Sequence, residues 1–296
     1  MIRLLHRGFN YSQDGPGNRL VYHLQGCNLH CPWCSNPESI ALSGSLMVPD
    51  SGALKPDACP FGAISLGRLN RLLCRDCPEK PCTILPGSGV KLAGVPVEEE
   101  AILAEIERSR PMFFEGGGVT FTGGEPTIQF EAVTRLLREL KARGVHTALE
   151  TNGTHRDLPA LFPLIDFLIL DIKHYDAAPY AQVIGGSQPQ IFRNLTAALT
   201  GREQLAVRIP LIGGFNSSGE DAAGFVRLFR MAGEKGGVSF PQKATLELLR
   251  YHEYGKDKWA QCGMEYAMTD AAFVPDAQFA SFERVIRAAG IPLVHT

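Results

Sequence analysis

Three cysteines lie within eight residues near the start of the chain, at Cys27, Cys31 and Cys34 in the stretch "QGCNLHCPWCSNPES". A loop this short cannot hold its sulfur atoms far apart, so the three thiols can converge on one small object. A zinc ion takes four tetrahedral ligands, whereas a four-iron cluster held by three thiolates leaves one iron open for a substrate. The spacing therefore predicts an iron-sulfur cluster with an open iron. The alternative is a zinc knuckle completed by His30 or His23.

A second group of cysteines follows. Cys59 is followed by proline, like the final cysteine of a bacterial ferredoxin motif, and "CRDCPEKPC" supplies Cys74, Cys77 and Cys82. Four thiolates close a cluster completely, so this group predicts one auxiliary cluster that passes electrons and binds no substrate. Zinc held by four cysteines is the competing interpretation. Cys262 stands alone, which is typical of a buried thiol with apolar character.

Composition excludes several classes of protein. The chain has 296 residues, 45% hydrophobic and 20% charged, which is enough for one large or two medium domains with a core. Its 29 Lys and Arg nearly balance 31 Asp and Glu, so neither nucleic acid nor a membrane surface is an expected partner. The N-terminus has no secretory signal, and the most apolar stretch is too short to span a membrane. We therefore expect a cytoplasmic chain, in which clustered cysteines bind metal more often than they form disulfides.

Short strand-like runs alternate with longer helical ones over most of the sequence. The helix after "VTFTGG", for example, has Phe130, Val133, Leu136, Leu137 and Leu140 at helical spacing and Gly144 as a stop. The six predicted strands are "NRLVYHLQG", "VTFTGG", "HTALETNG", "DFLILDIK", "LAVRIPLIGG" and "ATLELLRYH". Such alternation requires parallel strands and predicts an α/β fold, either an open sheet or a barrel, with its site at the carboxyl ends of the strands. Of these we expect a partial (β/α)6 TIM-like barrel.

Residues 43–94 break this rhythm. They contain four of the eight cysteines and many Pro and Gly residues, with little hydrophobic periodicity. We therefore expect a small ferredoxin-like iron-sulfur insertion at 43–94, within a barrel domain formed by residues 1–42 and 95–296.

Further motifs accompany the three-cysteine loop, which has an aromatic Trp33 before its last cysteine. They are "DGPG" at Asp14–Gly17, "TGGEP" at Thr122–Pro126, "ETNG" at Glu150–Gly153, "LDIK" at Leu170–Lys173 and "YHEYGKDKW" at Tyr251–Trp259. Over nearly the whole chain these motifs resemble the radical S-adenosylmethionine (SAM) superfamily. Within it they look like the glycyl radical enzyme activating enzymes, the family of pyruvate formate-lyase activase.

The resemblance implies where SAM binds. In the family the "TGGEP" motif holds the methionine amino group, and the residues matching Lys173 and His252 reach the carboxylate. The full set implied to bind SAM is Trp33, Gly123, Gly124, Glu125, Thr151, Asn152, Asp171, Lys173, Arg208 and His252. The residue types agree, because glycine allows close backbone approach and a carboxylate can bind an ammonium group.

The same matching implies a monovalent cation held by Glu150, Thr151, Asp171 and the carbonyl of Ile169. This chain departs from the family at position 150, where the usual residue is Asp and the longer Glu150 stands.

Structural alternatives remain open for each motif. "TGGEP" also fits a plain strand-to-helix turn, and Asp171 with Lys173 also fits a salt bridge at a strand end. His252 alone would fit a core histidine, and Arg208 contacts either SAM, a partner peptide or a structural carboxylate.

The resemblance also implies the reaction and its partners. A cluster electron cleaves SAM, and the 5'-deoxyadenosyl radical takes a hydrogen from a backbone glycine of a partner glycyl radical enzyme. Asp14 and Gly15 would face that glycine loop, although "DGPG" also fits a turn with no ligand. Reduced flavodoxin or ferredoxin is the expected electron donor, and the chain is expected to be a monomer.

Two other functions compete with this one. The first is a radical SAM enzyme with another peptide or a small-molecule substrate, against which "YHEYGKDKW" and "DGPG" argue. The second is a two-cluster electron-transfer or iron-sensing protein without turnover, which predicts no SAM cleavage. The sequence does not name the partner enzyme.

Overall fold

The structure is a computed structural model that describes residues 1–49, 54–75, 77, 79–201 and 204–295. Its strands are β1 (Ile2–Tyr11), β2 (Asn18–Leu24), β3 (Leu46–Met47), β4 (Ile64–Ser65), β5 (Arg68–Leu69), β6 (Lys91–Leu92), β7 (Val95–Val97), β8 (Gly118–Gly123), β9 (Thr147–Thr151), β10 (Phe167–Asp171), β11 (Gln204–Leu211), β12 (Ala244–Arg250) and β13 (Leu293–Val294). Its α-helices are α1 (Arg71–Cys74), α2 (Glu99–Ser109), α3 (Phe130–Ala142), α4 (Ala177–Val183), α5 (Gln188–Leu199), α6 (Gly219–Gly236), α7 (Phe240–Lys243), α8 (Lys256–Gln261) and α9 (Asp276–Ala288).

Within the described residues, nine strands form one sheet in the order β13-β12-β11-β10-β9-β8-β2-β1-β7. The six predicted strands, β2 and β8 to β12, pair in parallel with their neighbours, which confirms the α/β class. Sequence reasoning missed the strands at the edges. β1 pairs antiparallel with β2, β7 pairs antiparallel with β1, and β13 extends the parallel part beyond β12.

Helices cover the sheet through apolar faces. The predicted face of α3 is buried at Val133, Leu136, Leu137 and Leu140, and Gly144 follows the helix at φ +65°. The connection from β9 to β10 contains a 3₁₀ helix, Leu158–Leu164, whose internal proline cannot donate a backbone hydrogen bond. No helix among the described residues has the length and apolar character needed to cross a membrane.

The segment predicted as an insertion has its own small core. The pairs β3–β6 and β4–β5 are two-stranded sheets, around which the buried side chains include Leu46, Ile64 and Val90. Arg71 of this segment joins it to the end of α8, because its guanidinium donates to the carbonyl of Leu46 at 2.6 Å and that of Gln261 at 2.7 Å. The boundaries at 43–94 and the ferredoxin-like character remain predictions.

Candidate active site

A cavity of ≈ 290 Å³ opens at the carboxyl ends of the parallel strands. Twelve of the residues named in the sequence analysis line it together: Cys27, Cys31, Trp33, Cys34, Gly123, Gly124, Glu150, Thr151, Asn152, Asp171, Lys173 and His252. Parallel strands bring their carboxyl ends to one edge of a sheet, so motifs far apart in sequence converge there. The cavity therefore lies where the sequence predicted the site, at the carboxyl ends of the parallel strands.

The three cysteines belong to a loop that leaves β2. The Cys27 amide donates to the Ile40 carbonyl at 3.0 Å, and the Cys34 amide donates to the Cys31 carbonyl at 3.0 Å. Burial raises the pKa of both the Cys27 and the Cys31 thiol to about 12. The thiols therefore stay protonated at neutral pH until a metal displaces the protons.

The segment that starts α8 holds the other side of this loop. The Trp259 indole Nε1–H donates to the Cys34 carbonyl at 2.9 Å. Lys258 donates to Asn36 at 2.7 Å and forms a 2.9 Å ion pair with Glu38, which is 4% exposed. The "YHEYGKDKW" motif thus places His252 at the cavity and holds the backbone of Cys34 through the hydrogen bond from Trp259.

The "TGGEP" glycines lie against the end of β2. A Cβ atom on Gly123, whose φ is +118°, would lie 2.2 Å from the Leu24 amide nitrogen. A Cβ atom on Gly124 would lie 2.3 Å from the Gly26 carbonyl oxygen. Both positions therefore require glycine for packing against the chain that leads into the cysteine loop, in addition to any ligand.

Glu125 lies behind the cavity wall and is 1% exposed. One carboxylate oxygen accepts hydrogen bonds from Thr127 and from the Thr151 hydroxyl at 2.7 Å, and the other accepts from the Asn152 amide at 2.7 Å. The sequence predicted this carboxylate as a partner for the SAM ammonium group. In the structure this carboxylate joins the "TGGEP" turn to the "ETNG" turn, and its contact with SAM stays a prediction.

Asp171 and Lys173 form an ion pair of 2.5 Å on the cavity wall. Burial alone would lower the pKa of Lys173, but the charge of Asp171 outweighs it and the pKa is raised. The second carboxylate oxygen of Asp171, Oδ1, is buried without a hydrogen-bond partner among the described residues. The salt bridge therefore coexists with one acceptor that is free for a ligand.

Arg208 lies beneath the cavity and is 7% exposed. Its guanidinium donates to Glu150 at 2.7 Å, to Glu247 at 2.7 Å and to the Gln13 carbonyl. The other oxygen of Glu150 accepts from the Thr122 hydroxyl at 2.7 Å. Burial alone would raise the pKa of Glu150, but Arg208 and Thr122 hold it below its ordinary value. Both oxygens of Glu150 thus have partners in the protein, and the predicted cation site stays a prediction.

The "DGPG" loop joins β1 to β2 and reaches this buried group. The Asp14 carbonyl accepts from the Thr120 hydroxyl at 2.7 Å, and the Asp14 carboxylate accepts from Asn10. Burial and the nearby Glu150 raise the pKa of Asp14 to about 6. Gly15 adopts φ +117°, as a turn requires. In the described part of the chain neither Asp14 nor Gly15 lines the cavity, and Asp14 is linked to it by the charges of Glu150 and Arg208.

His23 is a cavity residue that sequence reasoning considered only as a zinc ligand. It lines the wall beside the cysteines, and its Nδ1 atom is buried without a partner among the described residues. The His6 ring lies 3.9 Å away, and burial lowers the pKa of His23 to about 4, so the ring is neutral. Alternation along β2 could have placed His23 on the cavity side. His30, the other candidate, is exposed.

The second cysteine group also converges. Cys59, Cys74, Cys77 and Cys82 line one small cavity of ≈ 10 Å³ in the insertion. Burial, followed by the three other thiols of the group, raises the pKa of Cys82, as expected when thiols face one another. All eight cysteines of the chain are free, and Cys262 is buried as predicted. No three Cys, His, Asp or Glu side chains in the described part of the chain surround a point that could hold a single metal ion.

Comparisons with known proteins agree with this site. A family model described as the radical SAM superfamily matches residues 21–226. The chain is 30% identical to the 4-hydroxyphenylacetate decarboxylase activating enzyme of Clostridioides difficile, over 94% of this chain and 90% of that protein. It is 32% identical to the choline trimethylamine-lyase activating enzyme of Oleidesulfovibrio alaskensis, over 95% of this chain and 93% of that protein.

A solved structure supports the fold alone. A radical SAM methyltransferase from Sphaerobacter thermophilus superposes with a TM-score of 0.53 at 14% identity, over 97% of this chain and 72% of that chain. With three cysteines, the SAM-binding motifs and a parallel sheet in one arrangement, the chain is a radical SAM enzyme and belongs to the family of glycyl radical enzyme activating enzymes.

Proposed function

We propose that this enzyme removes one hydrogen atom from a backbone glycine of a partner glycyl radical enzyme. The observation that carries the proposal is the single cavity in which three cysteines meet the ends of β8, β9 and β10. The superfamily implies a four-iron cluster and SAM. When bound, they supply one-electron cleavage of the sulfonium to methionine and a 5'-deoxyadenosyl radical, which becomes 5'-deoxyadenosine on taking the hydrogen.

The residues present fit these groups. Three thiols face the cavity without a fourth cysteine on its wall, which suits a cluster that keeps one iron for SAM. Asp171 has a buried oxygen without a hydrogen-bond partner in the described part of the chain, and Lys173 carries a positive charge suited to a carboxylate. We assign Lys173 and His252 to the methionine carboxylate, while Trp33, packed 5.1 Å from the Phe215 ring, excludes water from one side.

The partner's glycine loop would enter beside the "DGPG" loop. The contact of Arg208 with the Gln13 carbonyl supports this assignment, since it connects Asp14 and Gly15 to the group beneath the cavity. Movement of this loop would change the surroundings of Glu150 at the same time. No role follows for the predicted monovalent cation, because Arg208 already neutralises Glu150.

We assign the insertion at 43–94 to one auxiliary cluster that passes electrons. Support comes from the four cysteines around one cavity and from Arg71, which joins the insertion to α8 beside Cys34. Reduced flavodoxin or ferredoxin would be the donor in the cytoplasm, and the activase would act as a monomer.

Anaerobic reconstitution tests the proposal. About eight irons per chain would support two four-iron clusters, and four irons plus zinc would overturn the relay role of the insertion. With SAM, reductant and candidate glycyl radical enzymes, we expect a glycine-centred radical by EPR, with 5'-deoxyadenosine in proportion to it.

Two variants separate the cysteine groups. Cys31→Ala should abolish SAM cleavage, whereas Cys77→Ala should retain the first cluster and its EPR signal. SAM cleavage that persists in Cys31→Ala would contradict the mechanism. If the substrate is not a glycyl radical enzyme, 5'-deoxyadenosine should form without a glycine radical in any candidate. If the protein only carries electrons, it should cleave no SAM.

A further inference from the structure

Apolar side chains cover the cavity of the second cysteine group and are exposed on their outer side. Phe61 and Leu73 line this cavity with the four cysteines, yet Phe61 is 62% exposed and Leu73 is 52% exposed. Leu72, which precedes Leu73 in α1, is also exposed. We call these three residues the apolar patch. Exposed apolar groups that lie together inside a polar rim mark sites of protein interaction.

Positive side chains border the apolar patch. Lys80 lines the same cavity, and the exposed Arg75 directly follows α1. Neither of them forms an ion pair with a residue that the structure describes. Residues 43–94 contain six Lys and Arg but four Asp and Glu, whereas the whole chain has a net charge of −2. The patch therefore lies in a locally positive part of a slightly negative chain.

The patch is separate from the wall of the main cavity. In the described part of the chain, no residue lines both the main cavity and the cavity of the second cysteine group. A protein substrate must bring its glycine to the main cavity. A partner on the patch instead contacts the surroundings of the second cysteine group, so the patch suits a partner that delivers electrons.

The segment that carries the patch is held against the first cysteine loop. Arg71 donates to the Gln261 carbonyl at the end of α8, and Trp259 of α8 donates to the Cys34 carbonyl. A protein bound to the patch is thus connected to the active site through groups of this chain alone.

We propose that the apolar patch is the docking surface of an acidic one-electron donor protein. Electron-transfer complexes often bury less than about 1,200 Å² of surface, so a few apolar side chains with a charged rim are enough. Lys80 and Arg75 attract an acidic surface and orient it, because charge complementarity speeds association and fixes the register of two proteins.

The inference rests on the proposed function for the electron relay at the second cysteine group. In the transfer the donor is oxidised by one electron and the auxiliary cluster is reduced by one. No bond forms between the two proteins, so the surface has only to bind the donor reversibly.

The test is anaerobic binding of an acidic flavodoxin and of an acidic ferredoxin to the reconstituted enzyme, at low and at high salt. We expect Phe61→Ser and Lys80→Glu each to weaken binding of the donor about tenfold at low salt. The effect of Lys80→Glu should shrink at high salt, because salt screens exposed charges, whereas that of Phe61→Ser should persist.

Helix α6 supplies matched controls, since Met231 is 57% exposed and Arg227 is exposed. Met231→Ser and Arg227→Glu should leave the affinity for the donor unchanged. Iron content shows whether each variant keeps both clusters. If Phe61→Ser or Lys80→Glu loses iron, Arg75→Glu replaces it in the test, because Arg75 does not line the cavity among the described residues, and it should weaken binding at low salt.

The proposal is overturned if neither donor binds the wild type, or if the patch variants bind the donor as tightly as the controls do. It is also overturned if the patch variants weaken binding of a glycyl radical enzyme but not of the donor, because the patch would then serve the protein substrate. Glycine radical formation with a chemical reductant tests the proposed function separately, since it requires no donor protein.

Discussion

The guanidinium of Arg208 lies 2.7 Å from the carboxylate of Glu150, directly beneath the cavity. The same guanidinium binds Glu247 at 2.7 Å, and the side chains of all three residues are largely buried. Arg208 is thus the positive charge that allows two carboxylates to remain ionised inside the sheet. The first two predictions depend on this relationship.

Replacing Arg208 by methionine should destabilise the protein strongly. Methionine keeps much of the volume but leaves Glu150 and Glu247 buried without this cation, and breaking a buried ion pair costs about 3–5 kcal/mol. Anaerobic urea unfolding measures the change. Arg287→Met, which removes an exposed 3.9 Å contact with Glu283, is the control and should cost less than about 1 kcal/mol. Equal losses of unfolding free energy in Arg208→Met and Arg287→Met would refute the assigned role of Arg208.

SAM affinity should not depend on the monovalent cation. Glu150 is already paired with Arg208 and Thr122, so replacing potassium or sodium by choline at constant ionic strength should leave the dissociation constant of SAM unchanged. Equilibrium binding to the reconstituted enzyme measures it. A tenfold weakening in choline would mean that Glu150 leaves Arg208 to bind a cation.

Replacing Trp259 by phenylalanine should loosen the third cysteine of the first cluster. The ring remains, but the Cys34 carbonyl loses a 2.9 Å hydrogen bond, which contributes about 1 kcal/mol. We expect an iron chelator to remove the first cluster faster than in the wild type. Tyr254→Phe, at a residue that is 79% exposed, is the control. Identical rates of iron loss would show that α8 does not hold this loop.

Replacing Asp14 by asparagine should remove a loss of stability that the wild type suffers as the pH rises through 6. The pKa of Asp14 rises from 3.8 to about 6 on folding, so its favourable contribution is complete below pH 3.8 and disappears as the pH rises through 6. The difference amounts to roughly 3 kcal/mol at most. The free energy of unfolding of Asp14→Asn minus that of the wild type should therefore be larger at pH 8 than at pH 4.

The measurement is the difference in unfolding free energy between wild type and Asp14→Asn at several pH values. Taking the difference cancels the other titrating groups, apart from Glu150, which faces Asp14. A difference that stays constant from pH 4 to pH 8 would show that Asp14 is not buried in solution.

Much of the site follows from the order of motifs along the chain. Residues such as Cys27, Gly124, Asn152 and Lys173 lie at or just beyond the ends of predicted strands, and parallel strands must bring their carboxyl ends to one edge. The periodicity also predicted α3 correctly, because a single apolar face specifies a surface helix.

Other features depend on contacts between distant segments. The carboxylate of Glu125, for example, accepts hydrogen bonds from Thr151 and from the Asn152 amide at the end of β9, which no local pattern predicts. The edge strands β7 and β13 have no local signal in the sequence, since two or three residues show no periodicity. The hydrogen bond from Trp259 to Cys34 has none either, because 225 residues separate its two partners.

The sequence by itself determined the class of fold, the three-cysteine loop and the set of residues at the strand ends, because these depend on spacing and on the direction of parallel strands. Only the tertiary structure decided which side chains line the cavity and which lie behind its wall. Arg208 pairs with Glu150, and Glu125 pairs with Thr151 and the Asn152 amide, because a buried polar side chain takes a partner that lies within reach. That choice depends on distances through space, which the sequence does not contain.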